Sequence, residues 1–435
     1  MSELKYWVWL SSLPGLSPAS RARLPRRLGG VKETYFARAE DYERLDFLTP
    51  REREALENKG LGFANRAIEA CLEGNIDIVT IGDGNYPARL REIDAPPLVL
   101  YVRGRLPDID ELCAVAVVGT RDASLYGLRM AHNMGYGLTK CGALVVSGLT
   151  RGIDETAARG ALQAGGGCVG VLGTPIDAVR PYAGIAYDVS LAGALVSEYA
   201  PGTPFSSRFF RERNRITSGL AAATLVVEAP AKSGALLFVS EALEQGREVF
   251  AVPGNADSAR SEGSNRLIME GAQPALTAWD ILSGFAWRFP SISEDGKRKL
   301  PPEELVEAGV EAAARSAAEG AKRGRAEGGK APEKKKAKSA RGAPKKAAGR
   351  FFAKKDVDKP EAEEYIDLKK QLSELSAAQL KIVAAITGRH THVDDIIERC
   401  GLPAAEVLGE LTMLQIKGFV SQEPGKRFSL NITQK

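Results

Sequence analysis

The sequence predicts an α/β protein whose centre is a parallel β-sheet covered by helices on both faces. Short apolar runs rich in Val alternate with segments of helical period, and Gly residues stand where the strands give way to helices. Continuous apolar runs are typical of strands buried on both faces, as they are in a parallel sheet. The predicted strands are 115–118, 144–146, 169–172, 194–196, 225–227 and 249–252.

The chain has 435 residues, which is too long for one ordinary domain, so we expect several units. The sheet region spans 76–285. Before it, residues 1–75 read as a helical domain in which a helix, a Pro-Gly hairpin at 13–16 and a basic amphipathic helix at 17–28 follow one another. This order resembles a helix-hairpin-helix (SAM-like) unit, which can present backbone N–H groups to a phosphate. The alternative is a helical module that only buries its apolar stripe.

Residues 290–360 are predicted to form a disordered basic linker. Ala, Gly, Lys, Glu and Pro dominate this segment, and little in it is apolar enough to offset the entropy of ordering. Between 321 and 355 it carries fourteen Lys or Arg and two Glu, a net charge of 14 − 2 = +12. Such a charge attracts nucleic acid weakly and in a salt-dependent way, although a solvated spacer is an equal alternative.

Residues 368–432 are predicted to form a small winged-helix-like domain. The third of its predicted helices would normally read DNA, yet it carries Glu406 and Glu410, which disfavour contact with phosphates. We therefore expect this domain to bind protein. Its predicted elements are helices at 380–386, 393–400 and 404–417 and a β-wing at 420–430.

The overall charge does not by itself predict a nucleic-acid partner. The formal net charge is +4, so the chain outside the basic segment carries 4 − 12 = −8, and any DNA site must be local.

Five scattered cysteines without a CxxC pair indicate buried, reduced thiols rather than a metal or redox site. The apolar run at 6–10 is too short for a signal peptide, and no stretch is long enough to span a bilayer. We expect a cytoplasmic protein without a metal, a cofactor or a membrane partner.

Polar residues, Gly and cations gather where the predicted strands end. Because ligands of open parallel sheets bind beyond the carboxyl ends of the strands, these residues should meet at one edge. Gly permits close approach of a ligand to the backbone, helix N-termini attract anions, and Arg and Lys add positive charge. The predicted nucleic-acid-binding residues are Gly119, Thr120, Arg121, Ser147, Gly148, Arg151, Gly152, Arg213, Asn214, Arg215, Lys232, Ser233 and Gly234.

No catalytic residue is predicted. The pattern Gly165-x-Gly167-x-x-Gly170 precedes a strand instead of following one, so it has the wrong geometry for a dinucleotide turn. No GxxxxGK[ST] loop occurs, His132 sits within a helix and is better explained as structural, and no nucleophile–base pair stands out.

An ordered series of short segments over residues 85–282 resembles the DNA-processing protein A (DprA/Smf) family. The resemblance implies a Rossmann-like core and is looser for the helices before it and the winged helix after it. The segments that carry it are Asn85-Tyr86-Pro87, Ile93–Pro97, Val117–Arg121, Val146–Leu149, Arg151–Asp154, Arg213-Asn214-Arg215, Val227-Glu228-Ala229, Ala242–Arg247, Val252-Pro253-Gly254 and Asn265–Ile268.

The resemblance implies a dimer that binds single-stranded DNA without sequence preference. Members of that family protect the incoming strand and help to load the RecA recombinase during natural transformation. Two other functions remain open from the residues alone. One is a nucleotide-processing enzyme on a related Rossmann core, although the Pro-Gly-Gly-x-Gly-Thr turn of phosphoribohydrolases is missing. The other is a protein adaptor without DNA binding.

Overall fold

The computed structural model describes most of the chain up to residue 327 and parts of its last sixty residues. The described residues are 3–179, 182, 184–296, 300–327, 379, 381–382, 385–386, 391–403, 407, 409–411, 414, 420–423 and 427–430. The chain divides into two compact units, Met1–Lys334 and Lys335–Lys435, and each is taken by itself. Positions 328–360 of the predicted linker lie outside the described residues.

The chain begins with a helical domain, where the sequence predicts one. The Ser17 side chain accepts a hydrogen bond from the N–H of Ser20 at 3.1 Å and so caps the second helix, which begins with Pro18. The first helix buries Val8 and Leu10 against Leu24 of the second. The helices are α1 (Leu4–Ser12), α2 (Pro18–Leu28), α3 (Val31–Phe36), α4 (Ala39–Glu43), α5 (Pro50–Leu56) and α6 (Gly62–Glu73).

A mixed sheet forms the centre of the first unit. In the described part of the chain it has nine strands in the order β1-β2-β6-β5-β4-β3-β7-β8-β9. All neighbours from β6 to β9 along this order are parallel. The strands are β1 (Asp77–Thr80), β2 (Val99–Gly104), β3 (Ala114–Val118), β4 (Leu144–Ser147), β5 (Cys168–Val171), β6 (Ala194–Ser197), β7 (Ala223–Val226), β8 (Glu248–Ala251) and β9 (Gln273–Pro274).

The six predicted strands correspond to β3–β8, and their parallel pairing is confirmed. Two strands that the sequence did not predict extend the sheet at one edge. There β1 pairs antiparallel with β2, and β2 pairs antiparallel with β6. These two strands belong to the lead-in between the helical domain and the first βα unit. The connection between β1 and β2 contains no helix long enough to carry the chain back to the end of the sheet where β1 began. A parallel pair needs such a crossover, so these two strands pair antiparallel.

Helices cover both faces of the sheet because alternate strand residues point to opposite sides. On β3, Val115 and Val117 pack in a cluster that includes α8 and α9, whereas Ala116 and Val118 pack in another that includes α13. The helices of this region are α7 (Ala88–Arg91), α8 (Leu125–Lys140), α9 (Ile153–Gln163), α10 (Ala186–Ala192), α11 (Phe209–Glu212), α12 (Asn214–Leu220), α13 (Gly234–Glu244), α14 (Glu262–Met269) and α15 (Ala278–Leu282), with 3₁₀ turns at Ile109–Glu111 and Glu294–Gly296.

The prediction of a disordered linker starting at residue 290 is wrong for residues 303–327, which form helix α16 (Glu303–Glu327). Its first turns contact α8 and α9 and bury Val306 and Ala313. Gly309 lies against His132, since a Cβ at Gly309 would stand 2.6 Å from the His132 ring. The helix forms here because a few small apolar residues at helical spacing give it a face to bury, despite the polar composition of the segment. His132 is fully buried in α8 and contacts Gln163, in line with the structural role expected of it.

The second unit contains elements of a winged helix among its described residues. Helix α17 (Val393–Cys400) ends at Gly401, whose φ of +65° lies in the left-handed region that Gly adopts most readily. Strands β11 (Val420–Glu423) and β12 (Arg427–Leu430) pair antiparallel as the predicted wing, and β10 (Thr391–His392) joins them as a strand the sequence did not predict. Most of the predicted third helix and the tip of the wing lie outside the described residues.

All five thiols are free, and burial raises the pKa of Cys168, for example, to about 12. Four of them are buried and one is half-buried. Among the residues that the structure describes, no helix has the length and apolarity that crossing a membrane requires.

Candidate nucleic-acid interface

A cleft of about 530 Å³ opens at the carboxyl ends of β3, β4 and β7. Strand β3 has β4 on one side and β7 on the other, so the strand order reverses there, and this is the point at which α/β sheets bind ligands. We call it the strand-end cleft. Its lining residues are Val118, Gly119, Thr120, Arg121, Asp122, Gly148, Thr150, Arg151, Asp154, Phe210, Arg211, Arg213, Asn214, Thr217, Pro230, Lys232, Ser233, Gly234, Ala235, Leu237 and Phe238.

Ten of the thirteen residues predicted to bind nucleic acid line this cleft. Ser147 and Gly152 lie beneath its surface, and Arg215 faces elsewhere. The ten that the fold brings together are Gly119, Thr120, Arg121, Gly148, Arg151, Arg213, Asn214, Lys232, Ser233 and Gly234.

Gly148 and Arg213 form the base of the cleft. The guanidinium of Arg213 lies directly on Gly148, where a Cβ would stand 2.0 Å from Nη1. Arg213 Nη1 donates a hydrogen bond to the carbonyl oxygen of Val171 at 2.7 Å, and the residue is 5% exposed. The cation is therefore held in one position by packing and by a backbone acceptor, which fixes a positive charge under the cleft.

The loops after the three strands are joined by backbone hydrogen bonds. The N–H of Thr120 donates to the carbonyl oxygen of Glu228 at 2.8 Å, and the N–H of Ile153 donates to that of Thr120 at 3.3 Å. Gly152 has φ +88°, and a Cβ there would stand 2.5 Å from the Thr120 oxygen. Ser147 has a supporting role, because its hydroxyl donates to Asp154 O at 2.9 Å and accepts from the N–H of Leu149 at 3.1 Å.

The two acids of the cleft are already engaged by protein groups. Burial raises the pKa of Asp154 above its ordinary value, while the charge of Arg213 and hydrogen bonds from Thr150 and the Gly119 N–H act in the opposite direction. Thr150 Oγ1 donates to Asp154 Oδ2 at 3.0 Å. Asp122 forms an ion pair with Arg151 at 3.3 Å.

Three cations face the cleft without such neutralisation. Arg121, Arg211 and Lys232 are exposed, and no ion pair joins them to an acid in the described part of the chain. With Arg151 and Arg213, the lining carries five cations against two acids, a balance of 5 − 2 = +3. The cleft therefore attracts an anion.

The two helices that start at the cleft differ in the charge they present. The first turn of α9 contains Asp154 and Glu155, which occupy its positive end. The first turn of α13 has no acid, and the Ser233 side chain caps it by accepting from the N–H of Ala235 at 3.2 Å. Of these two helix N-termini, only that of α13 has a first turn without acids and so remains open to an anion.

Phe210 and Arg211 line the cleft but were not among the predicted residues. The Arg121 guanidinium lies over the Phe210 ring at 5.5 Å from its centroid. The signal was present in the sequence as Phe209-Phe210-Arg211 immediately before Arg213, since aromatic residues interleaved with cations are typical of surfaces that bind single strands.

Arg215 is a correction to the predicted site. Its Nη2 donates to both carboxylate oxygens of Glu198, at 2.7 and 2.6 Å, and both side chains are buried. It cannot reach a ligand in the strand-end cleft without leaving a buried carboxylate unpaired. Among the described residues, no group of three or more His, Cys, Asp or Glu could hold a metal ion.

Comparison with known proteins assigns similarity to two parts of the chain. The family model for DNA recombination-mediator protein A matches residues 77–286, and that for the DprA winged helix domain matches residues 367–426. Protein Smf of Synechocystis sp. is 29% identical over 437 residues, or 98% of each chain. DNA processing protein DprA of Streptococcus pneumoniae is 38% identical over 208 residues, which are 47% of this chain and 73% of that protein.

A solved structure shares the fold. The X-ray structure of DNA processing protein A from Streptococcus pneumoniae superimposes with a TM-score of 0.56 at 29% identity. The superposition covers 65% of this chain and 98% of that one.

Proposed function

The chain belongs to the DprA/Smf family of DNA-processing proteins, and on that premise we propose that its strand-end cleft binds single-stranded DNA without sequence preference. One observation carries the proposal: exposed Arg121, Arg211 and Lys232 surround a fixed Arg213 and an aromatic ring, and the acids between them are engaged by the protein. Such a surface offers charge to phosphates and a flat face to bases, which are the two sources of affinity for a single strand.

The contacts divide between the two parts of a nucleotide. The open N-terminus of α13 and the guanidinium of Arg213 suit phosphate oxygens. The Phe210 ring suits a base, and Arg121 over it adds a cation to the stack. None of these groups is arranged as a donor–acceptor pattern that would select one base, so binding should depend little on sequence.

We propose further that the protein acts by binding and not by catalysis. A buried carboxyl with a raised pKa, such as Asp154, is often a catalytic acid or base. Here its oxygens accept hydrogen bonds from Thr150 and from the Gly119 N–H, so it holds the loops of the cleft together. Asp122 is paired with Arg151.

Membership of the family extends the proposal to partners. We infer that the protein works as a homodimer, protects an incoming single strand and helps to load the RecA recombinase onto it during natural transformation. Its five free thiols are compatible with the reducing environment of the cytoplasm, where this work would be done. A strand-exchange assay with RecA on DNA coated with single-strand-binding protein tests the loading step, and sedimentation measures the dimer.

Replacement of Arg121 tests the cleft. Arg121→Ala removes one exposed cation, and we expect affinity for single-stranded oligonucleotides of any sequence to fall about tenfold. The slope of log K against log salt should become shallower by about 0.7, the value for one lost phosphate contact on a single strand. Fluorescence anisotropy at several salt concentrations measures both quantities.

Arg44→Ala is the matched control, since Arg44 is exposed on the helical domain and does not line the cleft. It should bind as the unaltered protein does. Unchanged binding by Arg121→Ala would reject the cleft as the DNA site, and turnover of a nucleotide by the purified protein would reject a purely binding role.

A further inference from the structure

Two aromatic rings in contact with each other border the strand-end cleft. Phe210 lines the cleft, and Phe205 lies beside it on the surface, with 60% of its area exposed. The ring centroids are 6.2 Å apart, a usual separation for an aromatic pair. We call Phe205 and Phe210 the Phe ridge. Because Phe205 continues the surface of the cleft, a strand that leaves the cleft on this side passes over its ring.

The loop that carries Phe205 is held by hydrogen bonds on both sides of this residue. Before it, the Thr203 hydroxyl donates to the carbonyl oxygen of Ala200 at 2.7 Å. After it, the N–H of Phe209 donates to the carbonyl oxygen of Ser206 at 3.1 Å. An apolar ring that an ordered loop presents to solvent beside a binding cleft is typical of a contact surface.

The charged residues next to the Phe ridge suit the backbone of a nucleic acid. Arg208 and Arg211 are both exposed. Arg208 forms an ion pair with Glu212 at 3.6 Å, but 61% of its side chain remains exposed. Glu212 also accepts a hydrogen bond from the Tyr199 hydroxyl at 2.8 Å, so this acid is engaged by the protein. Exposed rings beside exposed Arg side chains can stack bases and contact phosphates, as surfaces that bind unpaired strands do.

The angle within the Phe ridge restricts what can bind to it. The planes of the two rings differ by 73°. Neighbouring bases of a stacked strand are nearly parallel, so they cannot lie on both rings at once. A strand that uses both rings must turn between two nucleotides and lose the stack between their bases, which costs free energy. Double-stranded DNA keeps its bases parallel in base pairs and cannot present them to both rings.

We propose that Phe205 is a second base-stacking site and that the Phe ridge selects strands whose bases are not stacked on one another. One base lies on Phe210 in the cleft, and the next lies on the exposed ring of Phe205. The inference rests on the proposed function, since the strand must first occupy the cleft. It adds a preference for flexible strands: oligo(dT), whose bases stack weakly, should bind more tightly than oligo(dA), whose bases stack strongly.

Replacement of Phe205 tests the proposal. Because the ring is exposed, Phe205→Ala should fold as the unaltered protein does. We expect its affinity for oligo(dT) of about 15 nucleotides to fall about tenfold, the effect of one lost base stack. Affinity for oligo(dA) of the same length should fall much less, since that strand does not use the second ring. Phe205→Trp retains a ring and should keep the preference for oligo(dT). Fluorescence anisotropy measures all of these affinities.

Two controls separate this proposal from the proposed function. Phe36→Ala is matched to Phe205→Ala, since Phe36 is 62% exposed on the helical domain and does not line the cleft, and it should bind both oligomers normally. Arg121→Ala should weaken binding of oligo(dT) and oligo(dA) alike. Unchanged binding of oligo(dT) by Phe205→Ala, or an equal loss for both oligomers, would overturn the ridge proposal and leave the cleft assignment intact. A lack of effect of Arg121→Ala would instead overturn the cleft assignment.

Photocrosslinking locates the two bases without any variant. Trypsin cleaves after Arg208 and so separates Phe205 from Phe210. An oligo(dT) with a single 5-iodo-2′-deoxyuridine, moved one position at a time, should crosslink to Phe210 at one position and to Phe205 at the next, as located by tandem mass spectrometry. Crosslinks that reach Phe210 but never Phe205 would reject the second stacking site.

Discussion

At the scale of single residues, the strand-end cleft depends on glycines, which leave room for neighbouring groups because they have no side chain. Because Gly148 has no Cβ, the Arg213 guanidinium can lie against it. Because Gly152 has no Cβ, its backbone can lie close to the carbonyl oxygen of Thr120. Gly234, at the other side of the cleft, has nothing within 4 Å of a Cβ and a negative φ. Glycines of the same cleft therefore have different tasks, and only the first two are required by packing.

Gly148→Ala should disable the cleft. The new Cβ would stand 2.0 Å from Arg213 Nη1, so the guanidinium must move away from the carbonyl oxygen of Val171. We expect a loss of about 1–3 kcal/mol in stability from overpacking, measured by thermal denaturation, and weaker binding of single-stranded DNA. Gly234→Ala is the matched control and should leave the melting temperature unchanged. Equal effects of the two substitutions would contradict the packing of Arg213 on Gly148.

At the scale of elements, the loops after β3, β4 and β7 form one hydrogen-bonded group, and helices fix its position from both sides. Helix α9 starts at Gly152 under the cleft, and α13 starts at its rim with a free positive end. Helix α16 lies on α8 and α9, the layer that supports these loops from below. Its contact at Gly309 with buried His132 gives a direct test of that layer.

Gly309→Ala should lower the stability of the protein, although Ala has a higher helix propensity than Gly. In an exposed helix interior, Gly→Ala raises stability by about 1 kcal/mol. Here the Cβ would stand 2.6 Å from His132 Cδ2, so we expect a loss, seen as a melting temperature lower by a few degrees, roughly 2–4 °C per kcal/mol. Ala314→Gly, on the exposed face of α16, reports helix formation alone and should cost about 1 kcal/mol. A higher melting temperature for Gly309→Ala would show that α16 does not pack there.

At the scale of the whole molecule, positive charge is concentrated in two places, the strand-end cleft and the basic segment at 321–355. The lining of the cleft carries a balance of +3 and includes the buried Arg213, whereas residues 321–355 carry +12 in a sequence with little to bury. A buried cation such as Arg213 is screened little by salt, whereas a charge in solvent is screened over about 10 Å at ordinary ionic strength. The two sources of charge should therefore differ in their response to salt.

Deletion of residues 321–360 should weaken binding of single-stranded DNA only at low salt. We expect a loss of several-fold at about 50 mM salt and little change at about 200 mM, since counterion release makes the basic segment effective only when salt is low. Replacement of the segment by Gly and Ser at equal length separates charge from spacing. Unchanged binding by both proteins at both salt concentrations would indicate that the segment is only a spacer.

The structure predicted from the sequence was most accurate where a single physical signal decides the local structure. Runs of Val mark strands buried on both faces, so β3–β8 were predicted with ends correct to within two residues. Strands β1 and β2 were missed because β2 pairs with β6, nearly a hundred residues away along the chain, and β1 in turn pairs with β2. Helix α16 was missed because its composition is that of a disordered segment and its few buried residues are small.

The sequence by itself determined that polar residues and cations end the strands of a parallel sheet, and it predicted from this a phosphate-binding edge. The tertiary structure decided which of them face it. Arg213 and Arg215 stand two positions apart in helical backbone, roughly 200° around the axis, so one meets the cleft and the other meets Glu198.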